Sequence, residues 1–227
     1  MKKPARFILI AFLAFAGSSL YAQLGVQVGY VYLPSNGNLA LGTSQEFSGT
    51  TRNHGIQTGL TYDFTIRGDL GIQTGLLYTY SGGRTRELQR TVGQITNGTQ
   101  VTNSTYQFLE LPLRVNYWLP LTNELKFLVF GGPSFSYALQ GTSTSQFPPS
   151  WNIPNEYNVY QDFADFLSPF ELRAGLGLGA QFKNYRVKFG YDMGILNIYN
   201  GEPRNNARDD KYRLRRNQFS FSVGYVF

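Results

Sequence analysis

The sequence predicts an all-β fold, an eight-stranded antiparallel up-and-down transmembrane β-barrel with four long outer loops and three short periplasmic turns. Three observations carry that expectation. Eight segments alternate apolar and polar residues with period two. The connections between them run long, short, long, short, long, short, long. A basic and then apolar leader opens the chain, and no later run is long and apolar enough for a membrane helix.

In the leader, MKKPAR is basic, FILIAFLAFAG is an apolar run of about eleven residues, and SSLYA ends on a small residue, the three-part pattern of a secretory signal. A spanning helix needs about twenty apolar residues, so the run reads as a signal and not as an anchor. Cleavage is expected after Ala22, giving a signal peptide over 1–22 and one barrel domain over 23–227. Gln23 then begins the mature chain, and a residue other than Cys there argues against a lipid anchor. The 227 residues contain no cysteine, so the exported fold does without disulfides, as a membrane-embedded one can. The formal charge of +6 falls to about +3 once Lys2, Lys3 and Arg6 leave. An exported protein of that charge would rarely meet nucleic acid.

The strands follow in order. Leu24–Tyr32 sets Leu24, Val26, Val28, Tyr30 and Tyr32 against Gly25, Gln27 and Gly29. His54–Phe64 sets Ile56, Thr58, Leu60, Tyr62 and Phe64 against Gly55, Gln57, Gly59, Thr61 and Asp63, and Leu70–Tyr80 repeats the arrangement. Gln107–Leu119 sets Leu109, Leu111, Leu113, Val115 and Tyr117 against Glu110, Arg114 and Asn116. Leu125–Leu139 sets Phe127, Val129, Phe135 and Tyr137 against Lys126, Ser134 and Ser136. Phe170–Phe182 sets Phe170, Leu172, Ala174, Leu176 and Leu178 against Glu171, Arg173 and three glycines. Tyr185–Asn197 sets Val187, Phe189, Tyr191, Met193 and Ile195 against Arg186, Lys188, Gly190 and Asp192. FSFSVGYVF closes the chain in the same way.

The repeated GIQTGL, at Gly55–Leu60 and Gly71–Leu76, belongs to this pattern. A phosphate-binding loop would lead into a helix, and nothing helical follows either copy or the GLGLGAQ at Gly175–Gln181. These are strand glycines on one face. The short connections are Thr65–Asp69, Pro120–Glu124 and Lys183–Asn184. The long ones, Leu33–Asn53, Ser81–Tyr106, Gln140–Pro169 and Ile198–Asn217, read as irregular outer loops. An even strand count keeps both termini on the periplasmic side.

A soluble lipocalin-like barrel also has eight alternating strands. Against it stand the Tyr and Phe residues gathered toward strand ends, as in interfacial girdles, and strands of about nine to eleven residues, the length of a tilted crossing. Closure leaves no backbone donor facing hydrocarbon unpaired.

FLELPLRVNYWL at Phe108–Leu119 and FGGPSF at Phe130–Phe135 resemble the PorT-type outer-membrane β-barrel family of Gram-negative bacteria, a family with an outer membrane protein β-barrel domain. The resemblance spans Gln23–Phe227 and is specific only in those two segments. It implies prolines at bulges for Pro112 and Pro133, which remove ladder donors. It implies that Tyr225 and Phe227 form the terminal aromatic signal read by the outer-membrane insertion machinery, with Ser222 where glycine is usual. It also implies a place in an envelope secretion or transport machine, and it fixes no activity.

Several groups of residues bear chemistry. Asp63, Glu110, Arg114, Lys126, Glu171, Arg173, Arg186, Lys188 and Asp192 share the polar face, which predicts a paired network that plugs the lumen, the alternative being an ion path or substrate site. His54, with Ser48 and Glu46 near in sequence, is the candidate for a rim enzyme acting on lipid; the simpler reading is a solvated strand end, and no catalytic residue is assigned. No cofactor or metal site is expected. One histidine and no cysteine disfavour a transition metal, and Asp162, Asp165, Asp209 and Asp210 lack the spacing of an EF-hand calcium loop. Arg204, Arg208, Lys211, Arg213, Arg215 and Arg216 form a basic run suited to lipopolysaccharide phosphates, or to solvent. Trp151, Tyr157, Tyr160 and Phe163 lie in an aromatic, proline-rich segment that either contacts an envelope protein partner or folds back over the barrel. The expectation is a non-enzymatic integral outer-membrane barrel with a binding or assembly role.

Overall fold

The computed structural model describes residues 22–41, 45–89, 98–146, 155–158, 160, 167–199 and 213–227. Among these residues ten strands form one antiparallel sheet: β1 (Ala22–Leu41), β2 (Gln45–Arg67), β3 (Leu70–Gln89), β4 (Gly98–Pro120), β5 (Leu125–Gln146), β6 (Asn155–Asn158), β7 (Phe170–Phe182), β8 (Tyr185–Gly194), β9 (Arg213–Arg216) and β10 (Gln218–Val226). Eight of them, β1, β2, β3, β4, β5, β7, β8 and β10, close into a hydrogen-bonded ring through the β1–β10 pairing, which runs from Gly25↔Val226 to Tyr32↔Phe219. The short β6 pairs with β5, and β9 continues the line of β10 along β1. Its interruption has a local cause. Pro34 of β1 has no N–H to offer, and opposite it Asn217 leaves the strand, its amide donating to the Pro34 carbonyl at 3.0 Å.

The faces are inside out relative to a soluble protein. Leu60, Leu176 and Leu178 are 52%, 69% and 61% exposed, whereas Arg173 and Glu110 each retain 2%. A lipocalin-like barrel would bury the leucines, so the soluble alternative does not describe this chain. Exposed aromatics band the wall at both ends. Tyr117, Phe127, Phe182, Tyr185, Tyr225 and Phe227 lie toward the short turns, and Tyr30, Tyr78, Tyr80, Tyr137, Phe170 and Phe219 lie toward the other end. Both chain ends of the described barrel sit with the short turns, since Ala22 pairs with Phe64 and Val226 with Gly25. The β2–β3 turn uses Gly68 at φ +55°, where a side chain would be strained.

Two expected loops are ladders instead. β1 and β2 stay paired out to Leu41↔Gln45, and β3 and β4 out to Gln89↔Gly98. These strands of 20 to 23 residues are about twice the length a tilted crossing needs. Beyond the lipid neither face has to be apolar, so the alternation that marks the lower halves disappears. Threonine-rich sequence still suits a paired, solvated hairpin.

The prolines also differ from expectation. The β4–β5 register is unchanged across them, from Pro112↔Ser134 to Val115↔Gly131, with an unpaired interval between. The shift in that ladder lies at Gln107/Phe108. Pro133 follows Gly132, whose φ is +148° and whose carbonyl accepts from the Arg114 guanidinium. The proline therefore marks a place where the backbone turns to a side-chain partner.

Candidate functional site

The ring's interior is a stack of ion pairs, built by strand parity. Nearest the short turns, Arg186 of β8 donates to Asp63 of β2 at 2.7 Å and, through Nε and Nη2, to Gln181 Oε1 at 3.1 and 2.9 Å. Asp63 also accepts from Gln73 at 2.9 Å and Asn116 at 3.1 Å. The Arg186 guanidinium lies 4.8 Å from the Trp118 ring centroid. Above it, Arg114 meets Asp192 at 2.6 Å. Next, Arg173 meets Glu110 at 2.8 Å and donates to Gln218 and Ser136. Glu110 accepts further bonds from Ser134 at 2.7 Å and Gln57 at 3.1 Å. At the far end Arg216 pairs with Glu171, its guanidinium over the rings of Tyr106 and Phe108 at 4.9 and 4.8 Å.

This arrangement answers the electrostatic problem of a narrow interior. A buried charge is costly unless it is paired and hydrogen-bonded. Among the described residues each of the four buried acids, Asp63, Glu110, Glu171 and Asp192, has its own arginine. Arginine suits the task because its planar fork reaches several acceptors and stacks on aromatic rings. Lys188 is the exception among the described lumen cations. It donates to the Gln73 amide oxygen at 2.9 Å and lies 5.8 Å from the Phe130 ring centroid. Glycines make room for these groups. A Cβ at Gly175 would come within 2.2 Å of the Asp192 carboxylate, and one at Gly177 within 2.3 Å of the Phe130 ring.

Of the residues singled out for the lumen, Glu110, Arg114, Glu171, Arg173, Arg186, Lys188 and Asp192 all face inward and are brought together. Lys126 is exposed at the short-turn mouth, beyond the last deck. Arg216 needs correction. It is 4% exposed and bound to Glu171, so it belongs to the interior and not to a lipopolysaccharide-facing run. Its parity with Gln218 is the signal that finds it. The interior aromatics were also missed, although Phe108 and Trp118 share parity with Glu110 and Arg114.

Arg213 and Arg215 are exposed, whereas Arg204, Arg208 and Lys211 lie outside the described residues. So do Trp151, Phe163 and the acids Asp162, Asp165, Asp209 and Asp210. Tyr157 lies in β6, paired with Ser143, and its side chain is outside the description. Tyr160 corrects the partner-contact set. Its ring packs edge-on to Tyr106 at 6.4 Å, and its hydroxyl lies 3.5 Å from Arg216. Burial pushes its phenol up to about 12 against the pull of Arg216, so it stays protonated as a cap on the lumen. Among the described residues no group of three His, Asp or Glu side chains is placed to hold a metal ion.

The outer membrane protein β-barrel domain matches residues 13–200. The chain belongs to that family. This outer-membrane barrel is accordingly an integral protein of the outer membrane. Similar solved structures include OprG from Pseudomonas aeruginosa, at 14% identity over 91% of this chain and 96% of that one, with a TM-score of 0.42. Neisserial surface protein A is 13% identical over 91% and 99%, with a TM-score of 0.41. Ail, the attachment invasion locus protein of Yersinia pestis, is 12% identical over 92% and 100%, with a TM-score of 0.37. No curated protein matches the sequence.

Proposed function

We propose that this is a non-enzymatic barrel with a closed lumen, its short turns and both termini in the periplasm. Its outer end then serves binding or assembly at the cell surface. The observation that carries the reading is a pair of connections across the ring. Lys188 to Gln73 at 2.9 Å and Gln218 to Glu110 at 3.5 Å each join strands separated by three others in either direction. An ion crossing at those levels would have to break charge-assisted bonds in a site with little water to replace them.

His54 supports the non-enzymatic reading. Its Nδ1 is engaged by the Tyr30 hydroxyl and its ring lies on Tyr32 at 4.9 Å, on the outer wall and away from the lumen acids. The PorT-type resemblance of Phe108–Leu119 suggests the form an assembly role would take, a subunit of an envelope secretion or transport machine.

The test is electrical. The purified protein, reconstituted into a planar bilayer, is expected to insert without conductance steps. Steady ohmic steps from the wild type would overturn the closed lumen.

A further inference from the structure

The exposed cations divide by end. Around the short turns Arg67, Lys126 and Lys183 stand beside Asp69 and Glu124, with Lys183 and Glu124 paired at 3.4 Å. At the other end the described outer wall carries Arg52, Arg84, Arg213 and Arg215, and no acid among its described side chains. The side chains of Arg52, Arg84 and Arg215 make no hydrogen bond or ion pair with described residues.

The register gathers them. Arg215 of β9 pairs with Asn36 on one edge of β1, and Arg52 of β2 pairs with Pro34 on the other edge. Arg52 stands two residues before His54 and Arg84 two after Gly82, so both lie one step beyond the His54↔Gly82 pair on adjoining antiparallel strands. Directly paired residues share a face. Asn36 has the parity of Tyr30, Arg52 that of Ile56, and Arg84 that of Tyr80, all exposed on the outer wall. The three guanidinium groups thus cover four neighbouring strands, about 15 Å at the usual strand spacing.

Their height matters as much. Arg84 stands four residues above Tyr80, about 10 Å along the barrel axis for a tilted strand. Long side chains there reach down to the headgroup layer, which begins where the aromatic girdle ends. All three are arginine, whose fork matches phosphate oxygens in pairs.

Building on the binding role proposed above, we propose that Arg52, Arg84 and Arg215 form a wall site for the phosphate groups of an anionic outer-leaflet glycolipid. Tyr30, Tyr80 and Phe219 below them pack against its acyl chains. The site differs from the loop run read from the sequence. Two of its three arginines come from the first two hairpins.

The test titrates the full barrel in mild detergent with bisphosphorylated lipid A and with its dephosphorylated form. The wild type is expected to prefer the phosphorylated lipid. Arg52→Gln/Arg84→Gln/Arg215→Gln is expected to bind it on the order of 100-fold more weakly, since each basic group beside an anionic lipid surface contributes roughly fivefold. Arg67→Gln/Lys126→Gln/Lys183→Gln at the other end is expected to bind as the wild type does. Should the outer triple variant fail to fold, as judged by gel heat-modifiability, Arg84→Gln alone is expected to lose roughly fivefold. Undiminished binding by the folded outer variants would overturn this site while leaving the surface role standing. A wild type that binds neither lipid form would remove the lipid-binding role together with the site.

Discussion

Arg173→Ala lowers the unfolding free energy of the barrel in lipid vesicles by about 3–5 kcal/mol. The expectation follows from what the substitution leaves behind. Arg173 is 2% exposed and binds Glu110, Gln218 and Ser136 from three other strands. Truncation strands a carboxylate inside a narrow lumen, which is the costly way to break a buried pair. Ser134 and Gln57 still donate to Glu110, so the loss stays within that range. Adding Glu110→Gln to Arg173→Ala recovers part of it, because a neutral amide removes the unpaired charge. Urea titration followed by tryptophan fluorescence reads both variants. A loss below about 1 kcal/mol for Arg173→Ala, the size of an exposed pair, would show that the interior network does not hold the barrel together.

Leu176→Arg costs about 2–4 kcal/mol in the same vesicles, the range for arginine at the bilayer midplane. Leu176 is 69% exposed, midway along β7 between Phe170 and Phe182. On a soluble barrel such a residue would meet water, and arginine would be nearly neutral there. In lipid the guanidinium must travel several residues to reach an interface. Phe182→Arg, at the girdle, is expected to cost about 1 kcal/mol or less. The gradient along one strand separates a membrane effect from a general loss of packing. Equal costs at both positions would argue against a lipid-facing wall.

How much of this was legible beforehand follows from what lipid demands. Leu24 to Tyr32 or Phe170 to Leu178 must show an apolar residue outward at every second place, so membrane-crossing strands announce themselves. Ser35–Leu41 and Gly98–Thr105 face no such demand, and their pairing leaves no trace in hydrophobicity. Arg216 was misplaced for the same reason: Arg213–Gln218 shows no apolar alternation, so its inward face is carried only by its parity with Gln218 and by its register with Ser35. The lumen pairs were readable as a set but not as partners. Asp63 and Arg186 are 123 residues apart and meet across a lumen, a distance that strand parity alone cannot assign. The aromatic platforms Trp118 and Phe108 were obscured because an aromatic residue among leucines looks like wall.

If the leucines face lipid and the charges face one another, probes on the two faces must report opposite surroundings. Because the chain has no cysteine, single cysteines can be placed without background. Leu176→Cys and Ser136→Cys, each labelled with a small fluorophore, would be compared in vesicles containing chain-brominated lipid. Strong bromine quenching is expected at 176 and little at 136, where the side chain is 1% exposed inside the ring. Strong quenching at 136 with none at 176 would turn the barrel the other way round and contradict a lipid-facing leucine wall.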